Sequence, residues 1–150
     1  MKINKMQGAV NFKSNSHDTV SLTGALPNLP SPFFPNGQTL TLDVGGASVT
    51  FVLNNRGQSK TGSSTFALTL KPNKKSKSNP APGFAGGNVT FKARLANGSW
   101  AAVWGINPNA TGSTTGAMAT TISLNGSVYS ATTTLTYTAK ARVGATFVKK

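Results

Sequence analysis

Between Thr39 and Leu53 the sequence TLTLDVGGASVTFVL alternates apolar and polar residues on both sides of Gly45-Gly46. A period of two marks a half-buried strand, and a glycine pair suits the positive-φ positions of a two-residue hairpin turn. Pairing outward from that turn sets Val44 against Ala47, Leu42 against Val49 and Leu40 against Phe51 on one face. Thr41 against Thr50 and Asp43 against Ser48 fall on the other. A slip of one residue would turn every apolar side chain outward, so the register is specified.

The same period recurs in Gly8–Lys13 through Val10 and Phe12, and in Thr19–Gly24 through Val20 and Leu22. It returns in Thr65–Lys71 through Phe66, Leu68 and Leu70. Ala25–Gly37, ALPNLPSPFFPNG, carries four prolines and reads as a stiff loop, not a ladder strand. Lys71–Gly87 combines a charge run with three prolines and three glycines and reads as a linker.

After the linker the pattern restarts. Val89-Thr90-Phe91-Lys92 echoes Val10-Asn11-Phe12-Lys13, Gly105–Asn109 echoes Gly24–Asn28, and Asn125-Gly126 stands where Gly45-Gly46 stood. These landmarks lie 79, 81 and 80 residues apart. The reading is an internal duplication, with halves 8–71 and 88–150 joined by linker 72–87. In the second half Ser99–Trp104 and Met118–Leu124 fill strand slots. Tyr129, Ala131, Leu135 and Tyr137 line one face of a long strand, and Gly144–Lys149 closes the chain. Each half holds about five strands in roughly 70 residues, too little core to be comfortable alone. The expectation is one all-β domain over 1–150: an antiparallel two-sheet β-sandwich, or a flattened barrel, built from duplicated halves. No apolar period of 3.6 residues runs far enough to predict a helix.

The motifs occur in a particular order. A VxFK start leads to an LTG strand ahead of the proline-rich loop, then GQTLTLDVGG, FVLNNRGQ and TFALTLK, with TYTAKA near the end. This order resembles an uncharacterised immunoglobulin-like β-sandwich module of large secreted or surface proteins of environmental bacteria. The resemblance covers most of the chain and rests on turn and core signatures. It implies an immunoglobulin-like sandwich and an extracellular structural, adhesive or polymer-forming role, and it supplies no catalytic residues.

Composition changes the picture mainly through charge. Fifteen Lys and Arg face two acids, Asp18 and Asp43, giving a net charge of +13 and a pI of about 10.7. Such a surface attracts anionic polymers, nucleic acid or acidic polysaccharide. The plainer reading is that the charge keeps a Thr-rich β protein soluble and its edge strands from pairing with copies of itself. Cysteine is absent, which removes disulfides and thiolate chemistry. Met1–Met6 begins like a basic leader, but no apolar stretch follows and no run is long enough for a spanning helix. Either the protein stays inside the cell, or the chain begins after a removed leader or inside a larger polypeptide; the expected location is extracellular or on the cell surface.

Candidate chemistry is thin. Two acids make a carboxylate pair barely conceivable, and Asp43 on the polar face of a hairpin reads as solvated. His17-Asp18 in a turn reads as a cap, not a base with its orienting acid. One histidine without cysteine or spare carboxylates builds no zinc site. No phosphate-cradling glycine motif is present, since Gly83–Gly87 precedes a strand. The sequons at Asn88, Asn97, Asn109 and Asn125 matter only in a eukaryotic secretory pathway. The expectation is therefore no enzyme, no cofactor and no metal.

Binding candidates fall into two groups. Lys71, Lys74, Lys75 and Lys77 cluster in the linker, Lys140 and Arg142 near the C-terminus, and Lys92 and Arg94 on one strand face. Lys2 and Lys5 stand at the start, and Lys149 and Lys150 at the end. The aromatic candidates are Trp100, Trp104, Phe33 and Phe34. Trp100 and Trp104, four apart on a strand, would share a face with Ala102, either as a stacking platform or as core. Of the consecutive Phe33 and Phe34, one is expected to anchor its loop and the other to be exposed.

Overall fold

The computed structural model describes residues 1–72 and 83–149. Ten strands follow one another: β1 (Lys2–Asn11), β2 (Asp18–Leu29), β3 (Thr39–Val44), β4 (Ala47–Val52) and β5 (Gln58–Thr61) come first. Then come β6 (Ser64–Thr69), β7 (Gly87–Gly98), β8 (Gly112–Leu124), β9 (Ser127–Lys140) and β10 (Gly144–Val148). All ladders are antiparallel, and among the described residues there is no α-helix.

The ten strands form one sheet in the order β4-β3-β8-β9-β10-β1-β2-β7-β6-β5. Its two ends nearly meet. The Thr61 hydroxyl on β5 donates to the Thr50 carbonyl on β4 at 3.0 Å, and Asn54 N donates to the Gln58 carbonyl at 2.8 Å. The architecture is thus a nearly closed, barrel-like sheet, not two stacked sheets. Near-closure leaves less exposed edge than an open ten-stranded sheet would.

One side chain in two points inward, and those side chains make a single core. Leu40, Leu42, Phe51, Phe66, Leu95, Ile122, Leu135 and Phe147 are fully buried in it. Phe51 and Phe66 meet across the β4–β5 seam with centroids 5.8 Å apart, and Phe66 stacks on Phe91 at 5.8 Å. The central hairpin has the register its alternation requires, from Val44↔Ala47 to Thr39↔Val52. Gly45 and Gly46 lie at φ 59° and 94°, and the matching turn of β8–β9 uses Asn125 and Gly126 at 50° and 76°.

Three local expectations are corrected. Ala25–Leu29 continues β2 despite Pro27, because the pairing with β7 skips between Leu26 and Leu29 and leaves Pro27 outside the ladder. Ser99–Trp104 is not a strand but one helical turn. Trp104 N bonds the Trp100 carbonyl at 2.9 Å, Gly105 N the Ala102 carbonyl at 3.0 Å, and Ile106 N the Ala101 carbonyl at 2.8 Å. With Gly105 at φ 63° this is a Schellman ending. Last, Val10 lies at the end of β1, one residue before Asn11, whereas Val89 lies near the start of β7 at Gly87, so the VxFK echo joins unlike positions.

The strand order carries a different symmetry. Exchanging every strand with the one five places along, β1 with β6 through β5 with β10, returns the same ring read in the opposite sense. The β4–β5 approach then matches the β9–β10 ladder. The axis passes between β2 and β7 and between β3 and β8.

Candidate functional site: a basic sheet face and a neutral cleft

Cross-strand registers fix which outward side chains are neighbours on β1, β2, β7, β6 and β5. One row runs Lys60, Thr65, Arg94, Ser21, Gln7. The next runs Gln58, Ala67, Lys92, Thr23, Lys5, and a third runs Thr69, Thr90, Ala25, Lys2. Lys2, Lys5, Lys60, Lys92 and Arg94 are all exposed on this face. Neighbouring cations stand about 7 Å apart along β7 and about 10 Å apart across two strands, from strand geometry.

No acid answers them there. Asp18 points inward, 2% exposed, and accepts hydrogen bonds from Asn11 N at 2.9 Å and from Trp100 N. Asp43 belongs to the far hairpin, where it accepts from Gly46 N at 3.0 Å. Each carboxylate is thus engaged by backbone donors of its own surroundings, and among the described residues no three His, Cys, Asp or Glu side chains gather for a metal.

Lys92 and Arg94 are therefore joined by Lys60, which the sequence did not single out, and by Lys2 and Lys5 from the chain start. Plain alternation puts residues three apart on opposite faces. A register shift between Ile3 and Lys5 brings Lys2 and Lys5 to the same one. Lys140 and Arg142 lie elsewhere, at the β9–β10 turn, with Arg142 N bonded to the Pro108 carbonyl at 2.8 Å. Lys71 follows β6, its carbonyl accepting from Ala85 N at 2.8 Å. Lys74, Lys75, Lys77 and Lys150 lie outside the described residues.

The aromatic candidates do not form one platform. Phe33 is buried and exchanges backbone hydrogen bonds with Phe84 at 2.9 and 3.0 Å, while Phe34 is 49% exposed. Both belong to the loop after β2, and Phe33 lies near Leu124 and Asn125, where β8 ends. The tryptophans sit toward the other end of β8. Trp100 and Trp104 pack at 5.3 Å, and Trp104 meets Phe147 edge-on at 5.2 Å. The Trp104 indole donates to the Val44 carbonyl at 2.8 Å. Both rings are half-buried, and Ala102 is exposed on the other side of the turn, not on their face. They plug one mouth of the barrel. Four-residue spacing on a helical turn stacks two side chains as surely as it aligns them on a strand.

Beside this plug runs a cleft of about 380 Å³, lined by Trp104, Ile106, Tyr137, Ala145 and residues 112–117. Its lining carries no charged side chain. Burial pushes the Tyr137 phenol above its ordinary pKa.

Compared with protein-family models, curated proteins and solved structures, the chain matches none.

Proposed function

We propose that the chain is a non-enzymatic module that docks an anionic polymer on the outer face of β1, β2, β7, β6 and β5. The observation that carries this reading is the set of five exposed cations in three adjacent cross-strand rows with no facing acid. No aromatic side chain interrupts those rows, so the face offers no stacking for bases. It reads charge density, and nucleic acid and acidic polysaccharide compete for it. About five phosphate contacts should cost roughly 10²–10³-fold in affinity between about 50 and 200 mM salt. Fluorescence anisotropy with labelled duplex DNA and with heparin measures this. Replacing Lys60, Lys92 and Arg94 together with Ser should weaken both polymers alike and leave the melting temperature nearly unchanged. Affinity insensitive to salt, or to the triple replacement, overturns the reading.

The setting that suits such a module is a bacterial surface or extracellular protein, with a structural or adhesive role as the second reading. The long β8 edge described below favours that role, since a strand edge can pair with an extended segment of another protein. The ring symmetry of the strands supports an internal duplication within one domain, with its halves meeting at Gly62-Ser63 and not at the 72–87 connection.

A further inference from the structure

β8 is thirteen residues long, but its two neighbours are unequal. β9 pairs with all of it, Gly112↔Ala139 through Leu124↔Ser127, without a register shift. β3 covers only Thr120–Leu124, and Gly45 N adds one bond to the Ala119 carbonyl at 2.8 Å. Among the described residues, no backbone hydrogen bond reaches Gly112–Met118 from the side opposite β9. In an antiparallel ladder the groups turned away from the partner belong to alternate residues. Because the Ala119 carbonyl points to β3, the N–H and C=O of Ser113, Thr115 and Ala117 point the same way, away from β9 and along the edge that the cleft borders.

Natural sheet edges are usually blunted by lysine, proline, a bulge or a covering segment. The stretch GSTTGAM has no charge, no proline and no bulge. We propose that it is a strand-addition site for an extended peptide with apolar residues at alternate positions and acidic residues at its C-terminal end. Backbone pairing to Ser113, Thr115 and Ala117 would supply affinity, and alternate side chains would enter the uncharged cleft against Trp104, Ile106 and Tyr137. Among the described residues the Tyr137 hydroxyl has no hydrogen-bond partner, so it can bond a side chain arriving there.

Polarity follows from charge. An antiparallel peptide ends beside Gly112, and Gly112 faces Ala139, next to Lys140 and the Arg142 turn. Acidic residues at that end stand two strand spacings, about 10 Å, from β9 and are attracted by its two cations. The same charge argues against a second copy as the occupant, because each copy carries +13.

The test uses a synthetic peptide of alternating valine and threonine ending in two aspartates. Binding is read from the fluorescence of Trp100 and Trp104, the chain's two tryptophans. Saturable binding is expected. N-methylating the alternate amides that face β8 should weaken it about tenfold or more, while methylating the other set leaves it intact. Thr115→Pro should abolish binding with the melting temperature largely kept, since the lost N–H serves no ladder bond. Thr115→Val should bind normally. Should Thr115→Pro fail to fold, the two methylated peptides decide on the unaltered protein. Joint replacement of Lys60, Lys92 and Arg94 with Ser should not affect peptide binding, which separates this site from the basic face. Equal effects of the two methylation sets, or no saturable signal, overturn the proposal. So does a concentration-dependent dimer, in the absence of peptide, that Thr115→Pro dissolves.

Discussion

Asp18 is the carboxylate this barrel buries, and each of its oxygens holds a backbone N–H from a different segment. Asn11 N ties the first hairpin shut, and Trp100 N fixes the turn that carries both tryptophans. Removing the carboxylate orphans both donors, and hydrogen bonds to charged groups contribute about 1.5–3 kcal/mol each. Asp18→Ala should therefore lower unfolding free energy by about 3 kcal/mol or more in a urea titration. Asp18→Asn, which keeps one acceptor, should lose roughly half as much. Equal losses would mean that a neutral acceptor holds neither donor and that the charge is what matters. Thr120 presents the opposite case. It is fully buried, and among the described residues its hydroxyl has no partner. Valine has the same shape without the unsatisfied oxygen, so Thr120→Val should gain about 1 kcal/mol in the same assay. A loss of that size would show that the hydroxyl has a partner after all.

At the scale of elements, the β3–β4 hairpin is the best test of core packing. Phe51 is fully buried and touches Phe66 across the seam where the sheet closes. Phe51→Ala should cost about 3–5 kcal/mol, and a loss under about 1 kcal/mol would mean that the seam collapses around the missing ring. This hairpin was legible in the sequence because its information is local: a period of two and a turn that tolerates positive φ. The turn at Trp100–Trp104 was not, because an i, i+4 aromatic pair fits one strand face and one helical face equally. Gly105, the residue that ends the turn, was the available signal. The basic face was hidden for another reason. Its cations come from β1, β5 and β7, brought together by distant ladders and by a shift at Ile3/Lys5, and none of these leaves a mark within ten residues. Lys92 and Arg94 were visible as a pair, and their neighbours were not.

On the scale of the whole molecule, the two halves of the ring are interlocked. Within residues 2–61 the ladders are β1–β2 and β3–β4, and no ladder joins one to the other. Within residues 64–148 they are β6–β7 and β8–β9–β10, again without a joining ladder. The sheet becomes continuous only through β1–β10, β2–β7, β3–β8 and β5–β6, each of which takes one strand from each half. An isolated half would thus expose most of its apolar face and several open edges, and would lose the burial that offsets its conformational entropy. The break between the halves, in contrast, falls in the short Gly62-Ser63 turn, where cutting the chain severs no ladder. Fragments 1–62 and 63–150 should each be unfolded alone by circular dichroism and should assemble, when coexpressed, into a heterodimer with the sheet signal of the intact protein. That dimer should melt at a lower temperature at low concentration, because association replaces a covalent turn. A fragment 1–62 that gives a cooperative melt alone would show that its two hairpins pair directly, which the ring order forbids.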